Sequence, residues 1–142
     1  MSAFILYFPD SSNSALPVSI DFGCPDSLHT SYELFTALKS SFGLSVSYWE
    51  PVSCVSFSPR YVLLVDENGL YSDSYGLNPC ASLFYGRSIV GPAFVLVRNG
   101  EELDFLCSED VRKIRSFLST SLRVSDFKFP VVKSGSLYLP EN

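Results

Sequence analysis

Two strongly apolar segments, each followed by an Asn-Gly dipeptide, constrain this chain more than any other feature. RYVLLV at 60–65 leads into Asn68-Gly69, and AFVLVR at 93–98 leads into Asn99-Gly100. Asn-Gly readily adopts the positive φ angles that tight hairpin turns need. Strands joined by so short a connection lie antiparallel. The sequence therefore predicts two hairpins and a mainly antiparallel sheet.

Two other segments show helical periodicity. Thr30 and Glu33 fit a capping box, apolar residues follow at helical spacing, and Gly43 stands where the helix would end. Ser108 opens a second helix, whose first turn is acidic and whose apolar stripe runs to Leu122. We therefore predict an α+β fold, in which both helices pack on one face of a mainly antiparallel mixed sheet.

The rest of the chain adds strands and shows no internal boundary. Apolar residues at 3–8 and alternating residues at 18–22 predict two strands that pair as a hairpin, and an alternating segment that begins with LSVSYW at 44 and runs to Pro51 predicts another strand. Beyond the second helix the pattern becomes irregular, with two prolines and a Ser-Gly-Ser break. We expect residues 1–122 to form a single domain and residues 123–142 to form an edge strand or tail that packs on it or on a partner.

Composition limits the kinds of partner. The 142 residues carry a formal net charge of −5, only 18% of them are charged, and 25 are serine. The longest basic cluster is Arg112-Lys113-x-Arg115, so we expect no direct nucleic-acid binding. A weakly charged, serine-rich surface favours an interaction surface or an oligomer subunit. Without a membrane-length apolar run or a basic secretory start, we expect no membrane association and a reducing, cytoplasmic location.

The cysteines and the histidine, which often serve in catalysis and metal binding, do not cluster in this sequence. The cysteines Cys24, Cys54, Cys80 and Cys107 lie far apart, and His29 is the only histidine. Zinc sites usually bring ligands in local pairs, and a catalytic serine or cysteine needs a histidine oriented by a third group. The sequence contains neither of the glycine-rich phosphate-binding motifs G-x-x-x-x-G-K-[ST] and G-x-G-x-x-G. We therefore expect buried or half-buried thiols, no metal, no cofactor and no catalytic residue, which favours a protein that is not an enzyme.

The segment LNPCASLFYGRSIVGPAFVLV at 77–97 shapes the backbone and also offers candidate ligand contacts. Asn78-Pro79 predicts the start of a short helix near 79–85, and Gly86 would end it. Tyrosine and arginine, the residue types that flank this glycine, are favoured at interfaces. The candidate binding residues, from this segment and from the SLYLP tail, are Asn78, Tyr85, Arg87, Leu137, Tyr138 and Leu139.

The overlapping segment VDENGLYSDSYGLNPCASLFYGRSIVGPAFVLV resembles the central motif of the domain-of-unknown-function family 3846. The matching positions are Glu67, Gly69, Leu77, Asn78, Ala81, Ile89, Val90 and Gly91. The similarity covers about residues 3–118, and this chain departs from it in a long Ser-rich first loop, in a SCVSFSPR insertion and in the tail. The resemblance implies a small α+β domain in a phage, plasmid, bacterial or green-algal setting. It transfers no catalytic residue, because no activity is established for the family.

Three functions remain open. The first is a non-enzymatic protein-interaction module, in a viral or mobile-element accessory or structural protein, that binds a protein partner through an edge strand or the tail. The second is a small-molecule binder or weakly specified enzyme that uses Asn78, Tyr85, Arg87 and a carboxylate such as Asp66 in one pocket. The third is a homo-oligomeric scaffold subunit. Low charge, many aromatic residues and the lack of a catalytic motif favour the first.

Overall fold

The computed structural model describes residues 2–12, 17–23, 32–46, 48–69, 73–125 and 127–133. Within these residues lie seven strands and three helices. In chain order they are β1 (Phe4–Phe8), β2 (Val18–Asp21), α1 (Tyr32–Ser41), β3 (Trp49–Ser53), β4 (Tyr61–Asp66), α2 (Pro79–Tyr85), β5 (Ala93–Asn99), β6 (Glu102–Asp104), α3 (Ser108–Leu122) and β7 (Val131–Lys133). The predicted α+β class is confirmed, and so is the short helix near 79–85.

The described strands form one sheet in the order β3-β4-β5-β1-β2-β7, and β6 pairs with β5. All neighbours are antiparallel except β2 and β7, which are parallel. The predicted β1–β2 hairpin is confirmed, with Ile5 opposite Ile20. β7 lies at one edge of the sheet, within the C-terminal segment for which the sequence predicts an edge strand or tail.

One of the two predicted Asn-Gly hairpins is present, and the other is not. Asn99 is the last residue of β5, Gly100 and Glu101 connect it to β6, and Gly100 has a φ of 65°. By contrast, β4 pairs with β3 and β5, and neither Asn68 nor Gly69 has a positive φ. A local side chain accounts for the difference, because Asp66 accepts a hydrogen bond from the Asn68 N–H at 2.9 Å. The chain leaves the sheet through this turn and returns through α2 as β5.

The central strands β1, β4 and β5 bury both of their faces. Successive side chains point to opposite sides of a strand. Leu63 and Val95 pack on the face that α2 and α3 cover, whereas Leu64 and Phe94 pack on the face that α1 covers. Two helices do share a face, but the prediction that α1 and α3 are that pair is wrong. An uninterrupted apolar strand has no polar face, so both faces require a cover.

β3 forms the other edge of the sheet among the described strands, and it begins and ends later in the chain than the strand predicted from residue 44 to Pro51. The Cys54 N–H donates to β4, and the Tyr48 carbonyl accepts from the residue that follows β4. Because hydrogen-bonded and non-bonded pairs alternate in an antiparallel ladder, these two bonds direct the Pro51 nitrogen towards the free edge. Proline has no N–H, so the free edge lacks a donor at its centre.

The helix ends follow the local sequence closely. α1 is followed by Gly43, which has a φ of 64°, as predicted. Thr30, the N-cap of the capping box predicted for α1, lies outside the described residues. α3 has Cys107 rather than Ser108 as its N-cap, because the Asp110 side chain accepts the Cys107 N–H at 3.0 Å. Among the described helices, none is long and apolar enough to cross a membrane.

Candidate functional site

Asn78 is fully buried, and its side chain bonds only to the main chain. It is the N-cap of α2, and its Oδ1 accepts the Ala81 N–H at 3.1 Å. Its Nδ2 donates to the carbonyls of Phe8 and Gly91, both at 2.8 Å. A side-chain amide has two N–H donors, so Asn78 has none left for a ligand. This predicted binding residue instead joins α2, β1 and the entry to β5.

Tyr85 and Arg87 flank the glycine that ends α2, but they do not converge on one site. Tyr85 lines a cavity of about 190 Å³ between β3, the end of β4 and the segment after α2. Asp66, the carboxylate that the small-molecule hypothesis requires, lines the same cavity and accepts two hydrogen bonds at 2.9 Å. Arg87 is exposed and does not contribute to the lining. The structure brings Tyr85 and Asp66 together and separates them from Asn78 and Arg87.

The remaining residues that the sequence singles out either lie outside the described part of the chain or are free thiols, two of which are buried. Outside the described part of the chain lie Leu137, Tyr138, Leu139, His29 and Cys24. The three described thiols are free and buried or half-buried, as predicted: Cys54, Cys80 and Cys107. Burial raises the pKa of Cys54 to about 12 and that of Cys80 to about 11, so neither supplies a thiolate at neutral pH. Within the described residues, no group of three His, Cys, Asp or Glu side chains is placed to hold a metal ion.

A larger concave surface lies between α3 and the turn that joins β3 to β4, and we call it the α3 groove. Its volume is about 640 Å³, within the range of ligand-binding clefts. The lining combines aromatic, cationic and hydroxyl side chains in equal numbers. The lining residues are Phe57, Tyr61, Phe117, Arg60, Arg112, Lys113, Ser58, Ser116 and Thr120.

Packed aromatic rings form the floor of the α3 groove. The Phe57 ring centroid lies 5.2 Å from that of Tyr61, 5.1 Å from that of Phe84 and 4.4 Å from that of Phe117. The turn that carries Phe57 is fixed by its own backbone, because the Cys54 carbonyl accepts two N–H groups of the turn at 3.2 and 2.8 Å. Phe57 and Phe117 are only half-buried, so part of this aromatic surface faces the groove.

A buried carboxylate, Asp110, supports the wall of the groove where α3 meets β4. It accepts Arg60 Nε at 3.2 Å, Arg60 Nη2 at 3.3 Å and the Tyr61 hydroxyl at 2.8 Å. The N–H and thiol of Cys107 also donate to it, at 3.0 and 3.2 Å. Burial raises the pKa of Asp110, but the hydrogen bonds from Arg60, Cys107 and Tyr61 outweigh burial and lower it to about 2. Asp110 is therefore ionised at neutral pH and anchors Arg60.

The three cations of the groove differ in their partners. Arg60 is paired with Asp110, yet 54% of its side chain is exposed. Arg112 pairs with Glu109 in an exposed ion pair on the same helix. Lys113 is exposed and has no ion-pair partner among the described residues. Exposed ion pairs contribute little free energy, so Arg112 and Lys113 remain available to an anionic ligand.

The sequence does not indicate the α3 groove. SCVSFSPR stands out only as an insertion relative to family 3846, and the basic cluster at 112–115 is too short to predict nucleic-acid binding. A partial signal was present, because an amphipathic helix with a basic polar side presents cations to its surroundings. The proximity of that helix to Phe57 and Arg60 depends on the pairing of β3 with β4, which no local pattern specifies.

Comparison with known proteins assigns no family to this chain. No protein-family model matches it, and searches of curated proteins and of solved structures also find no match. The resemblance to family 3846, and the viral or mobile-element setting that it implies, stay predictions.

Proposed function

We propose that this chain is a non-enzymatic protein-interaction module, whose α3 groove binds an acidic segment of a partner protein that carries an aromatic or large apolar side chain. The composition of the groove carries the proposal: three cationic side chains surround a floor of packed aromatic rings. The function is the one that the sequence favours. The proposed surface is the groove rather than the edge strand or the tail.

Charge complementarity supports an acidic partner. The whole chain has a formal net charge of −5, yet the groove lining contains Arg60, Arg112 and Lys113 and no carboxylate. Asp110 and Glu109 pair with the two arginines from outside the lining, so Lys113 carries the unbalanced positive charge of the groove. A local cationic site on an acidic protein orients an incoming acidic segment and disfavours other approaches. Nucleic acid fits less well, because phosphate-backbone binding requires a longer basic stripe.

The aromatic floor supports a large apolar side chain as the anchor of the bound segment. The Phe57 and Phe117 rings pack 4.4 Å apart and are half-buried, so an inserted ring contacts a preformed aromatic surface. Aromatic pairs contribute about 0.5–1.5 kcal/mol beyond the area they bury. Interface hot spots combine such aromatic anchors with arginine, and Arg60 lines the same groove.

The chemistry of the lining supports binding rather than catalysis. Its aliphatic hydroxyls belong to Ser58, Ser116 and Thr120, and no histidine, cysteine or carboxylate in the lining is placed to activate them. The phenolic hydroxyl of Tyr61 donates to Asp110. Asp110, which lies behind Arg60, accepts five hydrogen bonds and has a pKa of about 2, so it is a weak base.

The cavity that a small-molecule function would use is smaller than the α3 groove. The cavity that Tyr85 and Asp66 share measures about 190 Å³, whereas clefts for small molecules usually measure about 300–1,000 Å³. Asn78 has no free side-chain N–H, and Arg87 is absent from the lining. For the oligomer alternative, the β3 edge is unfavourable because Pro51 removes its central donor.

A peptide-display selection on the full chain tests the proposal. We expect enrichment of peptides that combine Asp or Glu with Phe, Trp, Tyr or Leu. Thr120→Trp places a large ring in the groove and should abolish binding of the enriched peptides. Ser121→Trp changes the next residue of α3, which is exposed and outside the lining, and should leave binding unchanged.

Circular dichroism of both tryptophan variants establishes that each is folded. Peptides that bind the Thr120→Trp variant as tightly as the wild-type protein would contradict the proposal. A selection on folded protein that enriches no acidic, aromatic-bearing peptide would contradict it equally.

A further inference from the structure

We infer that the outer edge of the Arg60 guanidinium is an oxyanion subsite of the α3 groove, which selects a carboxylate or phosphoryl group on the bound segment. This inference rests on the proposed function, since it concerns a ligand in the same groove. It adds a residue that determines specificity and the chemical class that this residue recognises.

The free edge of Arg60 follows from how Asp110 holds it. A guanidinium has five N–H donors. Asp110 occupies one edge by accepting Nε at 3.2 Å and Nη2 at 3.3 Å. Nη1 and the second hydrogen of Nη2 form the other edge, which has no hydrogen-bond partner among the described residues. Arg60 lines the groove with 54% of its side chain exposed, whereas Asp110 is buried beneath it.

Arg60 is already held in place before a ligand arrives. Besides the two bonds to Asp110, its Cζ lies 5.9 Å from the centre of the Tyr61 ring. Its backbone is also fixed: the Arg60 N–H donates to Ser58 Oγ at 3.3 Å, and its carbonyl accepts the Arg98 N–H at 2.8 Å. A side chain that is ordered in advance loses little rotamer freedom on binding, and this favours affinity.

The geometry of the free edge matches an oxyanion. Two parallel N–H groups fit two oxygens of a carboxylate or a phosphoryl group, a pattern that the point charge of lysine does not reproduce. The charge of Arg60 is largely balanced by Asp110, so this subsite recognises hydrogen-bond geometry more than net charge. Lys113, which has no ion-pair partner in the described part of the chain, lines the same groove, and its charge supplies the long-range attraction.

The test uses fluorescent synthetic peptides of the sequence enriched in the display selection. At each acidic position in turn, the peptide carries Glu, phosphoserine or Gln, and fluorescence anisotropy gives the Kd. At the one peptide position whose side chain reaches Arg60, the wild-type protein should bind the Glu or the phosphoserine peptide about tenfold more tightly than the Gln peptide. In Arg60→Lys this preference should fall to about threefold or less, because lysine keeps the charge and loses the paired donors.

Ile114→Val is the structural control. It removes one methyl group from a fully buried side chain of α3 that lies outside the groove lining, and it leaves both bonds between Arg60 and Asp110 in place. It should lower the Tm and keep the preference over the Gln peptide. Comparison of the Kd values of the phosphoserine and Glu peptides shows whether the subsite prefers a phosphoryl group or a carboxylate.

Full retention of the preference by Arg60→Lys at every acidic position would overturn the inference. Loss of the preference in Ile114→Val to the same extent as in Arg60→Lys would overturn it too, because the loss would then reflect lower stability rather than the missing guanidinium. Failure of the proposed function has a different signature, which is peptide binding that Thr120→Trp does not disturb.

Discussion

Two buried polar residues, Asn78 and Asp110, join elements that are distant along the chain. Asn78 connects the start of α2 to carbonyls of Phe8 and Gly91. Asp110 connects the first turn of α3 to Arg60 and to the start of β4. Buried polar groups require partners, and at these two positions the partners come from several elements at once. Single substitutions here should therefore have large effects.

Asn78→Asp should destabilise the fold by about 3 kcal/mol or more. The aspartate keeps the oxygen that caps α2, but it has no N–H for the two carbonyls that Asn78 bonds at 2.8 Å. Urea unfolding measures the loss, and Asn99→Asp, an exposed hairpin residue, is the matched control. An unchanged urea midpoint for Asn78→Asp would show that these two donors contribute nothing.

Asp110 should make stability depend on pH in the acid range. Its pKa is lowered from 3.8 to about 2 in the folded protein, so the folded state binds a proton less readily than the unfolded state. The resulting stabilisation is complete above the unfolded pKa and is lost as pH falls through the folded one. The difference amounts to about 2 kcal/mol.

Urea unfolding of the wild-type protein and of Asp110→Asn, from about pH 6 down to about pH 2, measures this contribution. The stability advantage of the wild-type protein over the variant should shrink by about 2 kcal/mol over that range. An advantage that stays constant across the acid range would contradict the assignment.

Among the elements, α2 and β3 differ in what specifies them. Asn78, Pro79 and Gly86 specify α2 locally, because they supply its cap, its first turn and a C-cap with a φ of 87°. β3 begins five residues after the start of the alternating segment that predicts it, at the register in which Val52 faces Leu63 of β4. The pairing partner, rather than the local alternation, therefore sets the bounds of β3.

Pro51→Val should increase self-association through the free edge of β3. The Pro51 nitrogen faces that edge, so valine adds the missing N–H at its centre. Light scattering over a range of concentrations measures the change in mass. Pro59→Val, which replaces an exposed proline in the turn before β4, is the control. Equal mass for the two variants at every concentration would show that Pro51 does not protect the edge.

In the whole molecule, two cores lie on opposite faces of one sheet. β4 and β5 contribute alternate residues to both, so the same strands support α1 on one side and α2 with α3 on the other. The α3 groove forms where α3 meets the β3–β4 turn, and its anchoring pair, Arg60 and Asp110, lies 50 residues apart in the chain. The candidate site is therefore a product of the assembled fold.

The sequence by itself determined the features whose causes lie within a few residues. These are the apolar strands, the glycine that follows α1, the caps of α2 and the Asn99-Gly100 hairpin. Turn chemistry, capping and hydrophobic periodicity all act at this range. They were sufficient to predict the α+β class and the β1–β2 hairpin.

Only the tertiary structure decided which face each helix covers, where β3 begins, and that Asn78 is buried while Arg60 lines a groove. Each of these depends on contacts between residues that are far apart in the chain. A polar side chain in a loop has the same sequence signature whether it faces solvent or the core. Its surroundings are set by the elements that pack around it, and local patterns do not encode that packing.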